Sequence, residues 1–436
     1  MTTIPAPPAA RDAAFLRALC EGTVATLVQQ HLAIDAQVLA LRPDYVRWKD
    51  RDGSLVGWRV TLRFGAMPVD TYVTLRTAPP DRLADEAARM AHRTEEQHAG
   101  LRAFALAPHE QLLLIAFPID RAMHDLRRLV RASKVRSLLA ASSPLALPSG
   151  LRFSKSRSSF ELVRYKPERR AVVQWRIGCI DDTGNRHVRT SVWLRSHADA
   201  VVSRATIAAH AAAAAGIACP RPLGSPHKQL AIESHVDGLP LAVGDGDAIE
   251  AAARTLARLH AVPTVLGLPT HGAVQELDLV LRAADDLSRL LPNLASRALQ
   301  LAERLAATVP AWTGAAFAHG DLHTGQFLRL PSGEAALCDL DRACIAPPAR
   351  DLASLQAHCL LQGGSDHGPS AGAFLAAYAA AGRRPSATES QWWLAAALLR
   401  IAMAPFRALQ PDWPTATTRL LQLAEGALTT RLESAS

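Results

Sequence analysis

The segment from Phe317 to Leu355, FAHGDLHTGQFLRLPSGEAALCDLDRACIAPPARDLASL, decides how the rest of the chain is read. His319-Gly320-Asp321-Leu322-His323 opens it as a polar cluster, Gln326 follows, and Asp339-Leu340-Asp341 arrives 18 residues after Asp321. Phe327-Leu328 and Ala336-Leu337-Cys338 read as two short apolar strands, with Pro331-Ser332-Gly333 as the turn between them. Such a hairpin sets Gln326, just before the first strand, beside Asp339 at the end of the second. Asp321 then stands in front of both.

That arrangement suits phosphoryl transfer. The reaction needs a carboxylate to orient and deprotonate an attacking hydroxyl, and oxygen ligands for the magnesium that neutralises the moving phosphate. The Gln326 amide oxygen and the Asp339 carboxylate are hard ligands of this kind, which leaves Asp321 for the hydroxyl.

His319-Gly320-Asp321-Leu322-His323 together with Asp339 resembles the catalytic and metal motifs of the aminoglycoside phosphotransferase and choline kinase superfamily. The resemblance implies an α+β, protein-kinase-like bilobal fold, with a small antiparallel β lobe above a mainly helical catalytic lobe. It implies ATP and magnesium as cofactors, Asp321 as catalytic base, Gln326 and Asp339 as metal ligands, and Asp351 as a brace for the catalytic loop. His319 and His323 complete the catalytic group, His319 by bracing the loop. The family usually carries Asn where this chain has Gln326; HGDLHxGQ is similar to the bacterial maltokinases, which makes a sugar the expected acceptor. Asp341-Arg342 departs from the Glu-Gly-Glu continuation of that branch.

The 436 residues exceed one typical core, so two or three domains are expected. Hydrophobic residues make up 49% and charged ones 20%, a globular composition. The N-terminal MTTIPAPPAARDAAFL lacks the basic and apolar regions of a secretory signal, and no apolar run approaches a membrane span. The six cysteines (20, 179, 219, 338, 344 and 359) contain no CxxC pair and read as small buried residues of a reducing compartment. A cytoplasmic protein without membrane or nucleic-acid partners is expected, and nothing in the sequence speaks to oligomeric state.

The net charge of +8 is uneven: residues 151–235 hold 14 basic and 6 acidic side chains, whereas 236–436 hold 15 and 19. A phosphate-binding lobe above a metal-binding lobe explains this division. The expected division is a cap at 1–140, a nucleotide lobe at 151–235 and a helical catalytic lobe at 236–436. Residues 1–11 read as a Pro/Ala leader, 12–38 as helix, 121–139 as a basic amphipathic helix and 140–150 as a linker.

The cap reads as a degenerate copy of the nucleotide lobe. Val46-Arg47-Trp48-Lys49 matches Val163-Arg164-Tyr165-Lys166 at an offset of 117, and Trp58 falls on Trp175. Thr71 to Arg76 then matches Thr190 to Arg195 after a two-residue insertion. The repeated unit is strand–strand–strand–helix–strand.

In the nucleotide lobe, strands are expected at 160–165, 171–180, 188–194 and 230–234, a turn at 181–185 and a helix at 199–215. The turn Lys166-Pro167-Glu168-Arg169-Arg170 contains no glycine. Lys166, Arg169 and Arg170 would therefore meet phosphate oxygens by charge, where a kinase loop uses bare backbone. By resemblance Arg195 takes the third-strand position on the nucleotide phosphates, and Ser234 to Gly238 the hinge, with the backbone at Ser234 and Val236 holding adenine. The helix carboxylate that usually partners this arginine is missing. In the catalytic lobe helices are expected at 247–260, at 275–308 as one or two helices broken at Leu291-Pro292-Asn293, and at 350–362, 370–382, 388–409 and 414–432. Asp341, Arg342, Trp392 and Trp393 are substrate candidates, the tryptophans by stacking on a sugar ring. Competing readings are a catalytically silent kinase-like scaffold, and an aminoglycoside or amino-alcohol kinase.

Overall fold

The computed structural model describes residues 12–433 apart from 50–52, 94–95, 143–149, 182, 184–186, 200–201, 243, 264, 312–313, 363–366 and 382–383. The expected leader, most of the linker and most of the 181–185 turn lie outside the described residues.

The chain starts with α1 (Ala13–Leu19) and α2 (Glu21–Leu27) and one further helical turn to Leu32. Asp12 caps α1 by accepting the Ala14 N–H at 2.9 Å, a contact worth about 1 kcal/mol. The helix expected to reach residue 38 stops earlier, because Gln37 already belongs to a strand.

The first sheet comprises β1 (Gln37–Arg47), β2 (Leu55–Phe64), β3 (Met67–Thr77), β6 (Phe104–Ala107) and β7 (Leu112–Ala116), in the order β1-β2-β3-β7-β6. Helix α3 (Pro80–Met90) and the two-residue strands β4 (Gln97–His98) and β5 (Leu101–Arg102) lie between β3 and β6. The second sheet comprises β8 (Arg152–Lys166), β9 (Arg170–Ile180), β10 (His187–His197), β11 (Pro222–His227) and β12 (Leu230–Ser234), with α6 (Val202–Ala214) between β10 and β11. Its order, β11-β12-β10-β9-β8, is the first pattern read from the other edge, and both sheets are antiparallel. Register agrees as well: Pro43 faces Trp58 as Phe160 faces Trp175, and Arg76 faces Leu55 as Arg195 faces Val172.

Between the sheets, α4 (Leu126–Leu129) and α5 (Ala132–Ser142) replace the single helix expected over 121–139. Asp120 Oδ1 accepts the N–H groups of Ala122 and Met123 at 2.8 and 3.0 Å, a local turn that delays the helix.

After the short β13 (Leu239–Pro240) the chain is mainly helical: α7 (Gly246–Ala261), α8 (Ala273–Leu290) and α9 (Ala295–Ala307) precede the site, and α10 (Pro348–Gln362), α11 (His367–Ala380), α12 (Ala387–Ile401), α13 (Ala404–Arg407) and α14 (Trp413–Glu433) follow it. The helix expected over 388–409 divides at Ala402–Met403, just before Pro405. Within α8, Val280, Ala284, Leu287 and Leu290 are buried at three- and four-residue spacing, the stripe of a helix packed on one side.

One hydrophobic core joins the inner face of the first sheet to α8, α9, α12 and α14. A second, between the two sheets, gathers Tyr72 and Phe117 with Tyr165 and Trp175. A third, under the second sheet, packs α6 and α7 against Phe317, Phe327 and Leu337. Among the described residues no helix is long and apolar enough to cross a membrane.

Candidate active site

Strand β14 (Ala316–Ala318), paired with β17 (Cys344–Ala346), delivers the loop His319-Gly320-Asp321. Gly320 has φ +83°, and a Cβ there would lie 2.0 Å from the Arg342 carbonyl oxygen, so the tight passage requires glycine. A 3₁₀ turn over Thr324–Gln326 leads into the hairpin of β15 (Phe327–Arg329) and β16 (Ala335–Leu337). Phe327 faces Leu337, so Gln326 comes beside Asp339 across the hairpin: Gln326 Nε2 lies 3.4 Å from Asp339 Oδ2. Asp339 itself is left-handed at φ +62° and opens a second 3₁₀ turn, Leu340–Arg342.

Asp351, in the first turn of α10 and fully buried, accepts the N–H groups of His319 at 2.6 Å and Gly320 at 2.8 Å. Its Oδ2 also meets His260 Nε2 at 3.1 Å, and the other nitrogen of that ring meets Tyr378 at 2.7 Å. Burial pushes the Asp351 carboxyl up, but His260, His319 and Arg350 outweigh it and hold the group at about 2. His319 lies inside the loop. It is buried, its Nδ1 takes the Asp321 N–H at 3.3 Å, and its Nε2 meets the Cys338 carbonyl at 2.8 Å. Both nitrogens are thereby engaged inside the loop. His323 meets the Gln326 amide at 3.1 Å and lies tilted against His358, ring centroids 5.1 Å apart; burial and the neighbouring His358 lower it to about 4, so it is neutral near pH 7.

Asp321 is 40% exposed in its side chain and faces the cleft, with Arg342 Nε at 3.7 Å. Burial raises its carboxyl, and Arg342, Arg400, His358 and His319 more than offset that, keeping it below the ordinary value. The cleft holds about 240 Å³. Its basic walls are Lys166, Arg169, Arg170, Arg204 and Arg342, and its acidic ones Asp199, Asp321 and Asp341.

Arg195, on β10 and largely buried, donates to Asp339 Oδ1 at 2.7 Å, and Arg170 reaches both Asp339 oxygens at 2.9 and 3.0 Å. Arg170 also meets Asp341 at 2.9 Å. Against the burial that would raise it, these guanidiniums hold Asp339 well below the usual carboxylate range. The carboxylate partner missing from the helix comes from a strand: Glu233 on β12 lies 3.0 Å from Arg195 Nε. Trp193 faces Glu233 and Arg195 faces Ala231, so Arg195 and Glu233 are diagonal neighbours on one face. Ser234 ends β12 with its Oγ accepting the Arg221 N–H at 2.9 Å, and Val236 follows half-buried in the next loop. Trp392 and Trp393 do not reach the cleft. Both are buried in the core of α8, α9, α12 and α14, with Trp392 Nε1 donating to the Leu305 carbonyl at 2.9 Å, which corrects the expectation of a sugar-stacking pair.

Among the described residues no group of three or more His, Cys, Asp and Glu side chains forms a metal cage. Magnesium needs none, since it takes one or two carboxylates together with substrate phosphates and water. Asp339 and Asp341, bridged by Arg170, and the neighbouring Gln326 amide supply oxygens of the kind that donor set uses.

Residues 183–392 match the model of the phosphotransferase enzyme family. Comparison with curated proteins gave no match. Among solved structures, choline kinase from Cryptosporidium parvum Iowa II is similar at TM-score 0.53 and 10% identity, over 70% of this chain and 97% of that one. A choline/ethanolamine kinase family protein from Mesorhizobium loti aligns at TM-score 0.46 and 16% identity, over 68% and 94%. A macrolide 2'-phosphotransferase of type I aligns at TM-score 0.45 and 18% identity, over 66% and 96%. Residues 183–392 are thus similar to the phosphotransferase enzyme family, and the α+β architecture of the chain is protein-kinase-like, as in that choline kinase.

Proposed function

We propose that the protein transfers the γ-phosphate of ATP to a hydroxyl of a small molecule, with Asp321 orienting and deprotonating that hydroxyl. One observation supports the reading: Asp321 lines one cleft with Lys166, Arg170 and Asp341, and Arg170 links that cleft to Asp339, which Arg195 and Gln326 also contact. Magnesium held by Asp339, Gln326 and Asp341 would neutralise charge on the phosphates. Arg170 and Arg195 rest on Asp339 in the free chain; a triphosphate offers them other oxygens and releases that carboxylate. Asp351 fixes the loop that carries Asp321, and the backbone near Ser234 and Val236 receives adenine. Residues 1–140 serve as a support without a nucleotide of their own.

The acceptor we propose is neutral or anionic, with a sugar as the first case. Arg342 and Arg400 dominate the field at Asp321, so an aminoglycoside or a quaternary amine would approach like charge. A screen of ATP consumption across sugars, sugar acids, amino alcohols and aminoglycosides tests this. Turnover of a sugar or sugar acid is expected; an aminoglycoside exceeding every uncharged acceptor refutes the acceptor class. Absence of turnover with retained Mg–ATP binding would favour the scaffold reading, for which the double arginine grip on Asp339 is the supporting feature.

Lys166 gives a pH signature. Burial, then the nearby Arg164, Arg170 and Arg169, lower its ammonium to about 7. At pH 8 the empty site holds this lysine mostly neutral, and at pH 6 mostly charged. A bound triphosphate favours the charged form, so binding should draw up roughly one proton at pH 8 and little at pH 6. Calorimetry of ATP-analogue binding in buffers of different ionisation enthalpy reads this directly. Lys166→Met should abolish the pH 8 uptake; an equal uptake in that variant would assign the proton elsewhere.

A further inference from the structure

Three cleft cations, Lys166, Arg169 and Arg170, are carried by the turn between β8 and β9. The Arg169 N–H closes this turn on the Lys166 carbonyl at 3.0 Å. Proline second and a left-handed residue third match a type II turn, whose third position favours glycine. Here that residue is Glu168, at φ +56°. A strained backbone at a working site persists where surrounding contacts over-determine it.

Those contacts come from the first sheet and the segment behind it. The Glu168 carboxylate lies 2.5 Å from Arg47 Nη2, 2.8 Å from Arg121 Nε and 3.8 Å from Arg76 Nη1. Its N–H donates to Asp120 Oδ2 at 2.9 Å, and the Tyr165 hydroxyl donates to the same oxygen at 2.7 Å. Asp120 is buried, and its other oxygen is fixed by the Ala122 and Met123 amides. Arg76 is in turn held by Glu86 on α3 at 2.6 and 3.0 Å, and Glu86 also takes Arg121.

Register explains why the grip falls there. Arg76 holds the place in the first sheet that Arg195 holds in the second. Arg195 reaches Asp339 from the catalytic segment, and Arg76 reaches Glu168 from the nucleotide turn. Each sheet's arginine takes an acid from the next part of the chain.

We propose that the first sheet acts as a fixed support for the phosphate-binding turn. Asp120 and the Arg47–Arg76–Arg121 cluster grip Glu168 and so aim Lys166, Arg169 and Arg170 into the cleft. Glu168 is a positioning residue; it replaces the bare backbone of a glycine-rich loop with a braced, charged turn. The inference rests on the reading of the cleft as an ATP site.

Glu168→Gly in the full chain separates bracing from local backbone relief. Glycine removes the strain at φ +56°, so a merely local role predicts unchanged or tighter ATP binding. The brace predicts a KM for ATP raised on the order of tenfold, with the acceptor KM within about twofold. It also predicts hydrogen exchange of the 164–171 amides faster by roughly tenfold, with Arg121→Met acting in the same direction and Glu168→Asp restoring part of the loss. Unchanged exchange of those amides in both Glu168→Gly and Arg121→Met overturns the proposal, as does an unchanged ATP KM beside a loosened turn. The exchange arm needs no nucleotide, so a wild-type chain that binds no ATP analogue defeats the ATP reading while this arm still decides the brace.

Discussion

Asp321→Asn should lower kcat by roughly 10³-fold while leaving the KM for ATP within about threefold. Asparagine keeps the size and the loop geometry but offers an amide where the hydroxyl needs a proton acceptor. The side chain is partly exposed and meets Arg342 at 3.7 Å, a loose contact, so the melting temperature should move little. The depressed carboxyl adds a sign. Asp321 stays ionised from neutral pH down to below its ordinary value of 3.8, so activity should show no loss from this group between pH 5 and 8. Rapid-mix phosphate release with the best acceptor makes the measurement, and an asparagine variant with more than a tenth of wild-type kcat would remove Asp321 from the reaction.

Asp351→Ala should be the most damaging substitution for folding, at about 3–5 kcal/mol. It leaves the buried His319 and Gly320 amides without an acceptor and His260 without its carboxylate. The pH dependence follows from a folded value of about 2, below the ordinary 3.8. Stabilisation by this group is full above about pH 4 and is lost as pH falls toward 2, amounting to about 2 kcal/mol. Urea titrations of wild type and variant between pH 2 and 7 test both points. The gap between the two proteins should narrow toward pH 2, and a gap independent of pH would assign the loss to packing alone.

The catalytic hairpin was legible because it is local. Pro331-Ser332-Gly333 between two apolar triplets leaves little choice of pairing, and the pairing carries Gln326 to Asp339. The shared pattern of the two sheets left matching tryptophans at a constant offset, which survives because both lie in a sheet core. Glu233 was not legible, since its meeting with Arg195 is a diagonal across β10 and β12 and depends on a register that sequence does not print. Asp120 and Glu168 were missed for the same reason: their partners are distant in sequence, and each residue alone looks like an ordinary turn acid. Trp392 and Trp393 misled because α12 is apolar almost all round, so periodicity could not say which ring faced a core.

The core that joins the first sheet to α8, α9, α12 and α14 has a consequence for biosynthesis. Phe15, Val28, Trp58 and Leu75 leave the ribosome early, yet the surfaces that cover them, around Leu287, Trp393 and Leu421, are made some two to four hundred residues later. During that interval a nascent chain covers its sheet only in part, through α1 and α2, and the remaining apolar face awaits the kind of delayed long-range pairing that slows folding and invites aggregation. The polypeptide therefore closes like a clasp, with its last helices locking down its first strands.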